Sequence, residues 1–384
     1  MRFPEFTEEW KEEQLDNIAT LSKGIGISKE QLSEDGEPCI LYGELYTKYK
    51  SEIIKQVESK TDINGSKLKR SKANDVIIPC SGETAVDIAT ARCVPFDNIL
   101  FGGDLNVISL HQYDGAFMSY QLNGKRKYDI ARVAQGVSIV HLYGEHLKAI
   151  KTYNPTLPEQ QKIAKLLSLL DDRIDTQNKI IEKYESLIKG LNNILLYGTE
   201  GKYVCLGDIL LERLERSRTN NQHEVLSSTV KGIFSQREYF SKDIASENNV
   251  GYKIIRLHDV VLSPQNLWMG NINYNDRFDI GIVSPSYKVF SIADGYDNQF
   301  VAAMLKTYRA LYSYMMVSEQ GASIVRRNLN MEAFLQLVFK IPSLDKQRET
   351  GYAISLLKYQ LKTANKIIRA YISQKKYLLR QMFI

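Results

Sequence analysis

Basic and amide side chains that could contact nucleic acid are concentrated in segments predicted to be loops. Arginine can donate two hydrogen bonds to guanine, asparagine can bond to the edge of adenine, and both can hold phosphate oxygens. Taken alone, each such side chain is more simply a solvated surface group, so the prediction depends on their presence in both halves of the chain. The candidate DNA-binding residues are Lys67, Lys69, Arg70, Lys72, Arg216, Arg218, Arg237, Asn266, Asn271, Asn273, Arg326 and Arg327.

Motifs of catalysis are missing from the sequence. There is no Gly-x-x-x-x-Gly-Lys-Ser/Thr phosphate loop, no H-E-x-x-H pair, no G-x-S-x-G elbow, and no D-P-P-Y or N-P-P-Y methyltransferase motif. His141 and His146 stand five residues apart, a spacing that does not put both on one helical face, so no metal site is predicted. Asp171 and Asp172 fall in a predicted helix and are expected on its solvated face. The chain is therefore predicted to be non-catalytic, with no cofactor of its own.

The composition is that of a globular protein of two or three domains. The chain has 384 residues, 43% hydrophobic and 25% charged, and its net charge of +5 permits but does not require nucleic-acid binding. An acidic start and the absence of a long apolar run predict no signal peptide and no membrane span, hence a soluble, cytoplasmic protein. Reduced, mostly buried thiols are expected, because no C-x-x-C pair occurs among Cys39, Cys80, Cys93 and Cys205.

An internal repeat with an offset of 187 residues organises the chain: the tetrapeptide N-K-I-I begins at Asn178 and again at Asn365. Upstream, 136–140 (GVSIV) matches 321–325 (GASIV), and Leu157–Pro158 is taken to match Ile341–Pro342. The predicted plan is a globular domain followed by a helix, twice. The predicted boundaries are 1–156 (first domain), 157–198 (first helix), 199–341 (second domain) and 342–384 (second helix).

The two helices carry matched apolar stripes with a period of 3.5 residues, which favours supercoiling over packing in an ordinary domain core. Lys375 replaces the apolar residue found at Ile188 and is expected to weaken the second stripe near its end. The sequence thus predicts an intramolecular coiled coil. Its seam is Ile163, Leu167, Leu170, Ile174, Ile181, Tyr184, Ile188, Leu191, Ile354, Leu357, Leu361, Ile368, Tyr371 and Leu378.

Each globular domain mixes short β-like runs with helical segments. Residues 75–79 and 259–263 are predicted to be comparable buried strands, 281–284 and 287–290 add further strands, and 300–305 is predicted to be a helix. The fold class is therefore predicted to be α+β.

Over essentially its whole length, the chain resembles the specificity subunit of type I restriction–modification systems. The most specific stretch is 157–164 (LPEQQKIA), continued through 170–174 (LDDRI), and the domain openings at 15–18 and 203–209 are similar to the family's. The second copy departs from the pattern: Lys346 stands where a glutamate is usual, and Gly351 and Tyr352 replace apolar residues. A late start of the second helix is therefore predicted.

The resemblance implies two target-recognition domains, related by a pseudo-twofold repeat, that each read one half of a split, asymmetric DNA sequence. The helices would pack antiparallel and set the gap between the half-sites. Two modification subunits would bind S-adenosylmethionine and methylate adenine, and two restriction subunits would use ATP and Mg²⁺ to cut unmethylated DNA. None of these cofactors is expected on this chain.

Two other functions are compatible with parts of the sequence. A coiled-coil adaptor with protein-binding globular ends would explain the stripes but not the family motif; such a protein would have no DNA affinity even with its partners. A self-contained nuclease or methyltransferase without a recognisable motif would show activity as an isolated chain.

Overall fold

The computed structural model describes residues 2–64, 67–136, 139–197, 201–236, 248–323 and 326–383. The chain divides into unit 1 (Met1–Lys179 with Asn365–Ile384) and unit 2 (Ile180–Ala364). Each unit therefore combines one globular domain with part of each long helix. No helix in the described part of the chain is long and apolar enough to cross a membrane.

Two long α-helices, α7 and α12, and ten short ones are found in the described ranges. The α-helices are α1 (Leu15–Ile18), α2 (Glu44–Thr47), α3 (Ala85–Ile88), α4 (Gly115–Asn123), α5 (Lys127–Val133), α6 (Gly144–Lys148), α7 (Leu157–Tyr197), α8 (Leu206–Ile209), α9 (Asn298–Met304), α10 (Tyr308–Met316), α11 (Met331–Leu335) and α12 (Leu344–Gln381). Short 3-10 helices lie at Lys29–Gln31 and Leu267–Met269.

The strands of unit 1 form a mainly antiparallel arrangement. They are β1 (Lys11–Gln14), β2 (Ala19–Lys23), β3 (Glu37–Ile40), β4 (Lys60–Thr61), β5 (Lys69–Arg70), β6 (Asp75–Pro79), β7 (Ser81–Gly82), β8 (Arg92–Val94), β9 (Leu100–Phe101), β10 (Leu105–Leu110), β11 (Val140–His141) and β12 (Lys151–Asn154). Four of them make a sheet in the order β2-β10-β6-β8, and β1 pairs with β12.

The strands of unit 2 repeat that plan. They are β13 (Lys202–Cys205), β14 (Leu210–Glu212), β15 (Leu226–Thr229), β16 (Gly232–Ser235), β17 (Lys253–Arg256), β18 (Val260–Leu262), β19 (Ile272–Tyr274), β20 (Ile280–Val283), β21 (Lys288–Ile292), β22 (Ser318–Ser323), β23 (Arg326–Leu329) and β24 (Val338–Ile341). The sheet order β14-β21-β18-β19 corresponds to that of unit 1, and β13 pairs with β24 as β1 pairs with β12.

The central strand of each sheet is buried on both faces, as predicted. In β6, Val76 and Ile78 join one apolar cluster and Ile77 another. In β18, Val260 and Leu262 likewise join one cluster and Val261 a second. Because successive side chains of a strand point to opposite faces, a continuous apolar run suits a strand covered on both sides. The predicted α+β class of two repeated domains is confirmed.

The long helices pack antiparallel in unit 1. Residues near the start of α7 share an apolar cluster with residues near the end of α12, among them Leu167 and Leu170 with Leu378 and Met382. The seam side chains predicted from the sequence are buried or half-buried along both helices. Apolar seams of this kind shield each other from water. This burial stabilises each helix, because a single helix in water has little stability of its own.

The prediction that the second helix starts late is wrong. Both β12 and β24 end directly before a proline, Pro155 and Pro342, and α7 and α12 each begin two residues after it. Ile341–Pro342 therefore corresponds to Asn154–Pro155 and not to Leu157–Pro158. Gly351 lies inside α12, where its lack of a side chain lets the helix approach the first residues of α9.

The predictions for Lys375 and Asp171 are also wrong. Lys375 does not simply interrupt the seam, because its Nζ lies 2.5 Å from Glu52 Oε2 and 2.5 Å from Asp171 Oδ1. Asp171 is buried and accepts a hydrogen bond from the Tyr120 hydroxyl at 2.7 Å. Asp172 does lie on the solvated face, where it pairs with Lys55. A buried ionic cluster thus joins α7, α12 and the globular domain of unit 1.

Two helical glycines offer a matched test of this packing. A Cβ on Gly351 would lie 2.6 Å from the backbone nitrogen of Phe300, whereas a Cβ on Gly190 in α7 would meet nothing within 4 Å. We expect Gly190→Ala to raise the free energy of unfolding by about 1 kcal/mol through helix propensity. Gly351→Ala should lower it by about 1–2 kcal/mol, because overpacking outweighs that gain. Chemical denaturation of both variants measures the difference, and stabilisation by Gly351→Ala would contradict the packing described.

Candidate nucleic-acid interface

The predicted basic cluster of the first domain lies on and beside β5. Arg70 makes a bidentate ion pair with Glu37, with Nη1–Oε2 and Nη2–Oε1 distances of 2.6 and 3.0 Å. Lys67 and Lys72 are exposed and Lys69 is half-buried. Arg70 could bind a phosphate only if the phosphate replaced the Glu37 carboxylate as its partner. The two exposed lysines could reach a phosphate directly. DNA contact by all four residues stays a prediction.

Two predicted arginines of the second domain, Arg216 and Arg218, precede β15. Both are exposed, and the Arg216 guanidinium donates to the Gly251 carbonyl at 3.0 Å. Arg237 lies outside the described residues, as does the side chain of Arg326. The exposed pair is therefore available to solvent, and its contact with DNA stays a prediction.

Asn271 and Asn273 are buried inside the second domain. The Asn271 carboxamide accepts from the Ser228 hydroxyl at 2.8 Å and donates to the Ser228 carbonyl at 3.1 Å. The Asn273 amide donates to the same hydroxyl at 2.7 Å and to the Thr229 carbonyl at 2.8 Å. These bonds fix β15 against β19. Either amide could contact a base edge only if these hydrogen bonds broke. The structure therefore gives both residues a role in positioning β15 against β19.

Asn266, Trp268 and Arg327 come together although 61 residues separate the first from the last. The Arg327 guanidinium lies over the Trp268 ring, 5.1 Å from its centroid, and the Arg327 backbone nitrogen donates to the Gln265 carbonyl at 3.1 Å. The half-buried Asn266 directly precedes the 3-10 helix that carries Trp268, without a side-chain capping hydrogen bond. Cation–π contact of this kind restricts the arginine side chain. Base contact by Asn266 or Arg327 stays a prediction, but both stand on one ordered surface.

Lys306 is a structural residue of this surface that was not predicted from the sequence. Its Nζ donates to the Gly270 carbonyl at 2.8 Å and to the Val230 carbonyl at 3.4 Å, so it joins the loop after Trp268 to the β15–β16 turn. Burial and the positive charge of Lys358 lower the pKa of Lys306 to about 8. A lysine between two helices gives no local sequence signal for such a bridge.

The lowered pKa of Lys306 predicts a pH dependence of stability. As pH rises, the folded state loses the Lys306 proton first, so between the folded and unfolded pKa values the unfolded state binds more protons and stability increases with pH. We expect unit 2 to gain stability from about pH 8 to about pH 10.5, the folded and ordinary pKa values of Lys306. Lys306→Met should reduce that gain and leave the part that comes from the lowered pKa values of Lys253 and Lys358. Trp268 fluorescence in a Trp10→Phe background reports the unfolding of unit 2. Lys362→Met, on an exposed face of α12, is the control; an equal loss of the gain in both variants would contradict the assignment.

The four thiols are not reactive groups of these loops. Cys39, Cys80 and Cys93 are buried and Cys205 is half-buried, and all four are free. Burial raises the pKa of Cys39 and of Cys80 to about 11 and that of Cys93 to about 12. Such thiols are poor nucleophiles and poor metal ligands at neutral pH. In the described ranges, no group of His, Cys, Asp and Glu side chains is arranged to hold a metal ion.

Comparison with known proteins links this architecture to one family model and to solved structures. The model described as type I restriction modification DNA specificity domain matches residues 7–186. The crystal structure of a type I restriction–modification system S subunit from M. genitalium is similar with a TM-score of 0.65 and 16% identity, over 100% of this chain and 97% of that one. A chain from a structure on complex assembly and conformational transition of the type I R-M system is similar with a TM-score of 0.52 and 12% identity, over 98% and 97%. At these identities the two structures show a shared fold over the whole chain.

Proposed function

We propose that this chain is a member of the family of type I restriction–modification DNA specificity proteins and that it reads two different DNA half-sites, one with each globular domain. Its role is recognition of a DNA sequence, because proteins of this family are the non-catalytic, DNA-recognising component of a restriction–modification system. The observation that carries the proposal is the duplicated sheet order, β2-β10-β6-β8 and β14-β21-β18-β19, combined with loops that differ between the copies.

The difference between the loops supports an asymmetric target. The first domain presents the exposed lysines Lys67 and Lys72 beside β5, whereas the second presents the Trp268–Arg327 pair beside β23. Because base readout depends on which donors and acceptors reach the groove, two such surfaces would select different base pairs. The half-sites are therefore expected to differ in sequence.

In this proposal, methylation and cleavage of DNA are carried out by partner proteins. One similar structure concerns assembly of the type I R-M system, which supports association of this chain with subunits of such a system. Two modification subunits would supply S-adenosylmethionine and methylate adenine. Two restriction subunits would supply ATP and Mg²⁺ and cut unmethylated DNA. The cytoplasmic location expected from the sequence accords with work on genomic DNA and stays a prediction.

Single-base methylation mapping tests the proposal. DNA would be taken from cells that express the chain with candidate modification subunits, after their assembly is verified. We expect a split, adenine-methylated sequence that disappears when the chain is deleted. No methylation that depends on the chain, in cells where the complex assembles, would contradict the function.

A substitution in one domain should alter only one half-site. Arg327→Ala removes the guanidinium that lies over Trp268, and we expect relaxed or weakened recognition in the half-site read by the second domain, by about 1–3 kcal/mol if the side chain contacts a base. Arg309→Ala, on α10 of the same domain, is the control. Methylation mapping of both variants gives the sequence preference at each position. Equal change in both half-sites would contradict the assignment of one half-site to each domain.

A further inference from the structure

An open cavity of about 700 Å³ lies in the first domain between α2, β7 and α3. Two tyrosines line its wall: Tyr46 belongs to α2, Tyr42 precedes that helix, and both rings are exposed. The Tyr46 hydroxyl donates to the Ser81 carbonyl at 3.0 Å, which holds its ring at the wall. Aromatic rings held in this way offer a stacking surface for a planar ligand.

A buried guanidinium lines the same cavity. Arg92 is only 9% exposed, and it donates from Nε to the Tyr49 carbonyl at 2.9 Å and from Nη1 to the Ala91 carbonyl at 3.0 Å. Within the part of the chain that the structure describes, its Nη2 has no hydrogen-bond partner and no carboxylate lies at ion-pair distance. Burial lowers the pKa of Arg92, although the charges of Glu52 and Asp171 partly oppose the shift, which reflects the cost of holding a guanidinium away from water. A ligand acceptor at Nη2 would offset that cost.

Two carboxylates in the same lining restrict the ligand. Glu83 and Asp87 also line the cavity, and Asp87 is held by the Thr84 hydroxyl, which donates to its Oδ2 at 2.6 Å. A bare phosphate would be attracted by Arg92 but repelled by these two groups. A ligand with acceptors on one edge and donors on another could bond to the guanidinium and to a carboxylate at the same time. Guanine has this arrangement, with O6 and N7 as acceptors and the N2 amine as a donor.

A row of exposed rings continues from the cavity across the domain surface. The Ser81 hydroxyl, at the cavity wall, lies 3.2 Å from His141 Nδ1, and the His141 ring stacks on Tyr143 with 6.2 Å between centroids. Lys23 Nζ lies 5.7 Å from the Tyr143 ring centroid. An ammonium, an imidazole and an aromatic ring in succession suit the phosphate and sugar of a nucleotide whose base enters the cavity.

We infer that the cavity and this row together bind one nucleotide unstacked from the DNA, with guanine as the preferred base. The base would lie against Tyr42 and Tyr46 with its acceptor edge toward Arg92, and its phosphate would lie beside His141 and Lys23. The inference rests on the proposed DNA-recognition function. Unstacking a base costs a few kcal/mol, which contacts on all edges of the base can offset.

Isothermal titration of the full chain with the four nucleoside 5′-monophosphates tests the site. We expect guanosine monophosphate to bind most tightly and Tyr42→Ala to weaken it about tenfold, the effect of losing one stacking partner. Tyr128→Ala is the matched control, because Tyr128 is 64% exposed and belongs to α5, outside the cavity lining. Binding by none of the four nucleotides, or binding that Tyr42→Ala leaves unchanged, would overturn the inference.

These outcomes are separable from those of the methylation experiment. A split methylated target without nucleotide binding would leave the recognition function standing and remove the unstacked-nucleotide site. Nucleotide binding that depends on Tyr42, in a chain that directs no methylation, would keep the site and remove its connection to a DNA target.

Discussion

Replacing Lys375 with isoleucine should lower the free energy of unfolding of unit 1 by about 3–5 kcal/mol. Isoleucine is the residue at the corresponding position of α7, Ile188, and it suits an apolar seam. The variant would nevertheless remove the cation that pairs directly with Glu52 and Asp171, whose side chains are only 9% and 4% exposed. A buried ion pair that loses one partner retains the desolvation cost of the other.

The loss should also depend on pH. Burial and the neighbouring Glu52 raise the pKa of Asp171, and removal of the Lys375 charge would raise it further. A carboxyl with a raised folded pKa binds its proton more tightly when folded, so its contribution to stability is greatest below the unfolded pKa and is lost as pH rises through the folded pKa. The deficit of Lys375→Ile is therefore expected to shrink as pH falls toward about 4.

Urea denaturation followed by Trp10 fluorescence measures the effect. The chain has two tryptophans, so a Trp268→Phe background leaves Trp10, which packs 5.8 Å from Phe117, as the reporter of unit 1. Lys55→Ala is the control, since Lys55 pairs with Asp172 and Asp175 at the surface and should contribute less than about 1 kcal/mol. Similar losses in the two variants would mean that the buried cluster adds nothing to stability beyond a surface pair.

The seam could be predicted from the sequence, but the ionic cluster could not. A period of 3.5 residues is a local property, and it identified the buried faces of α7 and α12 correctly. Lys375 appeared in that pattern only as an interruption, because Glu52 stands 323 residues earlier in the chain. Two carboxylates brought to one lysine by tertiary structure leave no trace in the spacing of neighbouring residues.

In the candidate DNA interface, too, some features could be predicted from the sequence and others could not. Residue type predicted which segments are polar, but not which polar groups face inward. Asn271 and Asn273 alternate with Ile272 and Tyr274, and residues two apart in a strand share a face. That alternation was a signal that both amides share one side of β19, and only the fold shows that this side faces Ser228. Arg70 is similar, since Glu37 becomes its partner through the sheet.

Two buried glutamines, Gln160 and Gln347, make the same hydrogen-bonded bridge in both units, in keeping with the repeat. Gln160 is 1% exposed; its Oε1 accepts from the Asp114 backbone nitrogen at 2.9 Å and its Nε2 donates to the Pro155 carbonyl at 2.8 Å. Gln347 is 3% exposed and makes the corresponding bonds to Asp297 and Pro342 at 3.0 and 2.9 Å. The counterpart of Gln347 is therefore Gln160, whereas Gln161, one residue away, is exposed.

Gln160→Ala and Gln347→Ala should each lower the free energy of unfolding of their own unit by about 2–4 kcal/mol, since each leaves a buried N–H and a buried carbonyl unpaired. The affected N–H belongs in each case to the aspartate that caps a helix, α4 or α9, so loss of the bridge also loosens the cap. Trp10 and Trp268, each as a single tryptophan, report the two units separately. We expect Gln160→Ala to shift the Trp10 transition and Gln347→Ala the Trp268 transition, with Gln161→Ala as the matched control. A loss with Gln161→Ala as large as with Gln160→Ala would show that the bridge is not what stabilises the junction between domain and helix.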